Sequence, residues 1–416
     1  MRDGDGHRGG APPVSRPAGK PLSLAAIALA QVLALSVWFA GAAALPALRT
    51  ATELSPFAAA ALSSGVQLGF VAGALASAIL GLPDRIEIRR LFAAGAVTAA
   101  LATGLAAAVP PGGAAMIILR VITGAALALV YPVGMKMAAS WAKGDAGLLV
   151  GLLVGALTLG SATPHLFPLV GAELGWRAPF ALSAIAGAAG GAVILLAGVG
   201  PAFARAKAFD PSAALLAFRD PALRLANLGY LGHMWELYAF WAWTGVFLAA
   251  WFDARGFDAG AGPAAITFAV VAIGAAGALG AGWLADRLGR TIVTSAAMAA
   301  SGACALLAGL AWGLPPAVMV AILLVYGVTV IADSAQFSAA VAELAPPDRA
   351  GSLLTIQTAA GFALTVLTVQ ALPLWVEITG WRWAFAPLAL GPAVGVWAML
   401  RLRARPEAAR IAGGRG

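Results

Sequence analysis

The chain has little charge: 26 Lys and Arg and 18 Asp and Glu among 416 residues, 11% in all, against 61% hydrophobic residues. That shortage excludes an ordinary soluble globular domain, in which about a quarter of residues are charged. A single cysteine, Cys304, excludes an internal disulfide. Three histidines, at positions 7, 165 and 233, are too scattered to supply the closely spaced ligands of a metal centre. There is no Gly-x-x-x-x-Gly-Lys-Ser/Thr loop and no long polar domain, which argues against an ATP-driven pump and leaves no cofactor to expect.

What is present is apolar sequence in long runs. Twelve stretches, bounded by charged or Gly/Pro-rich turns, are long enough to cross a bilayer: Leu22–Leu45, Phe57–Leu80, Leu91–Val109, Ala114–Trp141, Gly147–Val170, Ala178–Val199, Leu225–Trp251, Ala264–Ala285, Thr291–Trp312, Ala317–Leu344, Ser352–Leu374 and Ala384–Leu402. A membrane barrel would show alternating segments of about ten residues, so the expected fold class is all-α and polytopic. The 51 glycines and many alanines suit helices that approach closely in lipid. Ala42-Ala43-Ala44 resembles a signal-peptide cleavage site, but the first run is long and many follow it, which favours a retained first helix.

The net charge of +8 does not indicate a nucleic-acid partner, because the basic residues lie in short loops and tails. Twenty-one of the 26 fall on the side of the two tails, four opposite (Arg49, Arg177, Arg255, Arg382), and Arg120 lies within a span. By the positive-inside rule both tails are cytoplasmic, in a membrane that reads as a bacterial inner membrane. The expected organisation is a disordered N-terminal tail (1–20), a six-helix bundle (21–199), a linker (200–224), a second six-helix bundle (225–403) and a C-terminal tail (404–416). Gly81-Leu-Pro-Asp84-Arg85 after the second span is echoed by Gly282-Trp-Leu-Ala-Asp286-Arg287-Leu-Gly289-Arg290 after the eighth, with Asp84 and Asp286 202 residues apart. A duplicated six-span unit points to a transporter whose halves rock about a central site.

On these residues the chain resembles the major facilitator superfamily from Leu22 to Leu402. The resemblance implies two pseudo-symmetric six-helix bundles, alternating access and function as a monomer. It also implies a cytoplasmic latch formed by Gly282, Asp286, Arg287, Gly289 and Arg290, with Asp84 and Arg85 as the weaker first copy. Arg120 and Gly124 match the family's fourth-helix pattern. The fifth span, Gly155 to Pro164, departs from the antiporter pattern.

The resemblance further implies that the first, fourth, seventh and tenth spans line the central cavity, and each carries a polar stripe at helical spacing. These are Gln31 and Trp38; Arg120, Gly124 and Tyr131; His233, Glu236 and Thr244; and Tyr326, Thr329, Asp333 and Gln336. Glu236 lies near the centre of its span, where an ionised carboxylate costs roughly 2.5–3.5 kcal/mol on insertion scales, so a proton-coupling role competes with a bracing one. His233, one turn away, could share its proton. Asp333 is read either as functional or as an ion-pair partner between helices.

Arg120 either binds an anionic group of the substrate or fixes the bundle. Lys136 is read as snorkelling to the interface and His165 as interfacial. Trp38, Trp241 and Trp243 are candidate aromatic walls. The expected function is secondary transport of a small polar or anionic organic solute, with protons as the coupling ion and the lipid bilayer as surroundings. Efflux of a drug or metabolite is the alternative; a membrane enzyme or a non-transporting receptor are remote rivals.

Overall fold

The computed structural model describes residues 19–143, 146–203, 208–258 and 260–416. The N-terminal tail expected to be disordered lies almost wholly outside them. Among the described residues there is no strand. Eleven helices are long and apolar enough to cross a membrane: α1 (Lys20–Ala51), α2 (Pro56–Leu80), α3 (Ile88–Ala106), α4 (Ala114–Ala139), α5 (Gly147–Val170), α6 (Ala172–Leu196), α8 (Gly262–Leu288), α9 (Arg290–Gly313), α10 (Pro316–Leu344), α11 (Ala350–Thr379) and α12 (Trp381–Arg403). The twelfth, α7 (Pro221–Ala254), is the longest continuous helix at 34 residues, but its Asn, His, Glu, Tyr and Trp side chains make it less apolar. It does not need a lipid-facing surface. From Gly232 to Leu248 every residue except Trp235 is buried.

Local chemistry sets the ends of these helices. Ser55 caps α2 by accepting from the Ala58 N–H, Pro56 occupies the first turn where no N–H is needed, and Gly81 closes the helix at φ +60°. Asp220 caps α7 through the N–H groups of Ala222 and Leu223. The segment expected to be a plain linker carries a short helix, Ala213–Arg219, against α7 and α11. Asp210, just before it, is tied to α11 by Arg349 and by Ser352.

Several spans are interrupted. The helix of α1 stops at Leu35 and resumes at Ala40; α4 breaks between Leu127 and Tyr131, next to Pro132; α10 breaks at Asp333. Each interruption lies well inside its span, where freed carbonyls need a protein partner because lipid offers none.

Within each set of six spans the closest helix contacts run backbone to backbone through glycine. A Cβ on Gly124 of α4 would run into the Val66 carbonyl of α2, and one on Gly327 of α10 would run into the Val270 carbonyl of α8. These two glycines sit at matching places in the two copies of the repeat. Gly124→Ala and Gly327→Ala are each expected to destabilise the protein by about 1–3 kcal/mol through overpacking. A lowered thermal unfolding midpoint in detergent checks this; an unchanged midpoint would show that the helices can move apart at no cost.

The two sets of six meet along α2 against α11 and α5 against α8, with the C-terminal part of α1 touching α7. The C-terminal residues form no loose tail. Residues 406–414 turn back under α9 and α10 and bury Ile411 completely.

Candidate functional site

Arg120 is fully buried. Its Nη2 donates to the Val37 and Trp38 carbonyls (2.9 and 2.6 Å), its Nε to the Leu62 carbonyl (3.1 Å) and its Nη1 to Thr103 Oγ1 (3.3 Å). Val37 and Trp38 lie in the interruption of α1, where no backbone N–H of the described residues reaches their carbonyls. The guanidinium fork therefore completes a broken helix. Three of its four hydrogen bonds end on backbone carbonyls and one on the Thr103 hydroxyl, the arrangement that the bundle-fixing alternative expects. Further along α4, Gln31 Nε2 reaches the Tyr131 carbonyl (3.2 Å), so these two expected cavity residues join α1 to α4 at the second interruption.

On α7 the structure separates two residues that sequence spacing placed together. His233 Nδ1 lies 2.8 Å from Asp333 Oδ1 on α10, both groups being almost completely buried. Glu236 Oε2 instead accepts from Ser301 Oγ on α9 at 2.8 Å, with the Tyr326 hydroxyl beside the same carboxylate. The reason is geometric. Three residues advance a helix by about 300°, so the side chains are about 60° apart, enough to address different neighbouring helices.

Asp333 sits at the break in α10, and Tyr326 stacks on Phe240 of α7 with ring centroids 3.8 Å apart. The cluster of His233, Glu236, Ser301, Tyr326 and Asp333 thus lies among α7, α9 and α10. Ser301 was not anticipated. Its only sequence signal is a hydroxyl on a face of α9 that also carries Thr294 and Cys304. Thr244 and Thr329, expected in the polar stripes, bond back to the carbonyls of Phe240 and Val325.

Gln336 does not join the cluster. It accepts from Arg290 Nη1 (2.6 Å) at the start of α9, and Arg290 also makes a two-point pair with Glu343 (3.0 and 2.7 Å). Asp286, four residues before Arg290, turns its carboxylate towards Gly147 at the start of α5, bringing the second-copy loop against the opposite set of spans. Arg287 lies over the Trp283 ring at 3.4 Å. Gly289 takes φ +96° and packs against the backbone of residues 415 and 416, whereas Gly282 faces open space. Glu343 accepts in addition from the Ala412 N–H, so the folded-back C-terminal residues join this cluster.

In the first copy Asp84 pairs with Lys136 of α4 at 2.6 Å, next to Arg85 in a short helical turn. The ammonium of Lys136, read as snorkelling, meets this loop acid and stays partly exposed. The polarity is reversed between copies: loop acid to helix base in the first, loop base to helix acid in the second. Asp84→Lys or Lys136→Asp alone is expected to lower stability by roughly 1 kcal/mol, and the double exchange to recover most of it. Thermal unfolding of the four proteins measures the coupling, and strictly additive losses would rule out an energetic pair.

Between the two sets of spans the lining is aromatic. Trp38 and Phe70 on one side face Tyr238 and Phe362 on the other with ring centroids 4.5–5.7 Å apart, and Phe39 packs edge-on against Trp241. Uncharged polar atoms lie buried there without a hydrogen-bond partner: the indole N–H of Trp38 and of Trp241, and both amide atoms of Gln67. Gln370 reaches across to Ser64 at 2.8 Å. His165, expected at the interface, is buried in a 3-10 turn because α5 continues past it to Val170.

Two solved structures have this fold over nearly their whole length. One is a D-xylose-proton symporter, with a TM-score of 0.74 and 16% identity, covering 94% of this chain and 98% of that one. The other is a mutant of the nucleoside transporter NupG, with a TM-score of 0.69 and 15% identity, covering 92% and 100%. No curated protein sequence matches the chain. Residues 27–369 match the family model of the Major Facilitator Superfamily. With that match spanning both copies of the repeat and twelve spans in the same fold, the chain belongs to the Major Facilitator Superfamily: it is an integral membrane transporter, not an enzyme.

Proposed function

We propose that the protein is a proton-coupled secondary transporter that moves a small polar organic solute by alternating access, with both termini in the cytoplasm of a bacterial cell and the monomer as the working unit. The two six-span units, 21–199 and 225–403, rock against each other about the aromatic seam, and 200–224 joins them. The observation that carries the reading is the buried cluster of Glu236, His233 and Asp333. His233 and Asp333 at 2.8 Å differ between a neutral pair and an ion pair only in where one proton sits. Glu236 offers a second carboxyl one turn along the same helix. Three groups that exchange protons, on a continuous helix and on one broken at Asp333, can couple protonation to a change at that break. One of the two similar structures is a D-xylose-proton symporter, which agrees.

An anionic substrate loses its main support, because Arg120 is held by three carbonyls and the Thr103 hydroxyl. The solute is better read as uncharged, contacted by the indole N–H groups of Trp38 and Trp241, by Gln67 and by the rings around them. The same rings favour the second reading, efflux of an aromatic drug or metabolite. A proteoliposome assay tests the proposal: pooled solutes are added while internal pH is recorded. Solute-driven proton movement is the expected result. Solute movement without any proton flux would refute the coupling.

A further inference from the structure

The outer ends of both six-span units enclose a cleft of about 130 Å³, lined among others by Arg49, Pro56, Trp243, Pro373, Glu377 and Trp381. Arg49 and Pro56 come from the N-terminal unit; the rest come from the C-terminal one. The walls are fixed. Pro373 lies inside α11 and has no N–H to give the Val369 carbonyl four residues before it, and the indole N–H of Trp243 donates to that carbonyl at 3.1 Å. Trp243 is thereby held as a rigid wall, with Trp381 tilted against it at 6.1 Å between ring centroids.

The charges are arranged as unusually as the walls. The Arg49 guanidinium stands 5.6 Å from the Trp381 ring centroid, which holds it at the mouth. Glu377 brings a carboxylate to the same cleft from α11. Among the described residues no ion pair involves either of them. Opposite charges that share one small cleft without meeting leave a gap to be bridged, and indole faces beside an acid suit an ammonium group. The volume is close to that of the roughly 150 Å³ engineered cavity that accepts benzene, so the occupant is small.

We propose that this cleft is a docking site for a small zwitterion, its carboxylate on Arg49 and its ammonium between Glu377 and the two indoles. The site is separate from the buried cluster and does not depend on which solute crosses the membrane or on proton coupling. A free zwitterionic solute and the headgroup of a choline lipid share this chemistry.

The test is equilibrium binding of radiolabelled glycine betaine to the purified full chain, in detergent and in nanodiscs of phosphatidylglycerol or of phosphatidylcholine. Choline and tert-butylacetate, each carrying one of the two charges, serve as competitors. The expected result is saturable binding that both competitors displace at least tenfold less well than betaine itself. R49E and E377R should each weaken binding at least tenfold, and the double reversal should bring it back to within about threefold. Both side chains are exposed, so neither change threatens folding, and an unchanged gel-filtration profile confirms it. Equal binding in both nanodiscs assigns the site to a free solute; loss confined to phosphatidylcholine assigns it to the headgroup. No saturable binding, or binding indifferent to both reversals, overturns the proposal.

Discussion

Glu236→Gln abolishes solute-driven proton movement while leaving solute exchange across the membrane intact: this is the largest functional effect expected of any single substitution here. The amide has the size of the carboxyl, its oxygen can still accept from Ser301, and it cannot take up or release a proton. At least a tenfold loss of proton flux is expected, with unfolding temperature and exchange rate close to those of the parent protein. Asp333→Asn is the partner experiment. It leaves His233 beside a neutral amide, so the proton that the pair exchanges has no acceptor on α10. If Glu236 and the His233–Asp333 pair act together, either substitution alone stops coupling. Proton flux that survives Glu236→Gln and vanishes in Asp333→Asn would move the coupling site wholly onto the pair and leave Glu236 as a brace for α9.

Arg120→Met is expected to have the largest effect on stability. The substitution keeps an unbranched side chain but deletes four hydrogen bonds, two of them to carbonyls in the broken segment of α1. Each buried acceptor left without a donor costs about 1–3 kcal/mol, so the loss is roughly 4 kcal/mol or more, a large share of a typical folding free energy. Arg120→Lys recovers little, because a compact ammonium cannot span the directions that the planar fork reaches. Thermal unfolding followed by size exclusion reads the effect. A midpoint within a degree or two of the parent's, together with weakened solute binding, would return Arg120 to the substrate site.

The contrast between these two residues shows what could be read before any coordinates. The spans, the loop repeat and the burial of Glu236 follow from runs of apolar residues and the cost of charge in lipid. The partners do not. His233 and Glu236 share one side of a helical wheel, yet a 60° offset sends one to α10 and the other to α9. The interruption of α1 at residues 36–39 has no glycine or proline of its own, so only the guanidinium arriving from α4 marks it. Gln336 went astray because Arg290, 46 positions away, holds it, and the partner of Lys136, Asp84, is hidden in the same way from periodicity within a helix. Even α7 was recognisable as a span only by its length, since the polar side chains that give it importance also lower its hydropathy.

The glycine contacts at Gly124 and Gly327 leave each six-span unit almost nothing soft at its closest helix crossings, because carbonyl meets Cα there with no side chain between. The seam between the units is made of the opposite material: flat rings, with amides and indole N–H groups that have no fixed partner. Compliance is therefore unevenly distributed, and a load placed on the molecule is relieved at the seam before either unit deforms. Elastic measurements such as pressure-dependent spectroscopy should find a stiff pair of blocks joined by a layer that yields, and the energy landscape of the transport cycle is then the landscape of that layer.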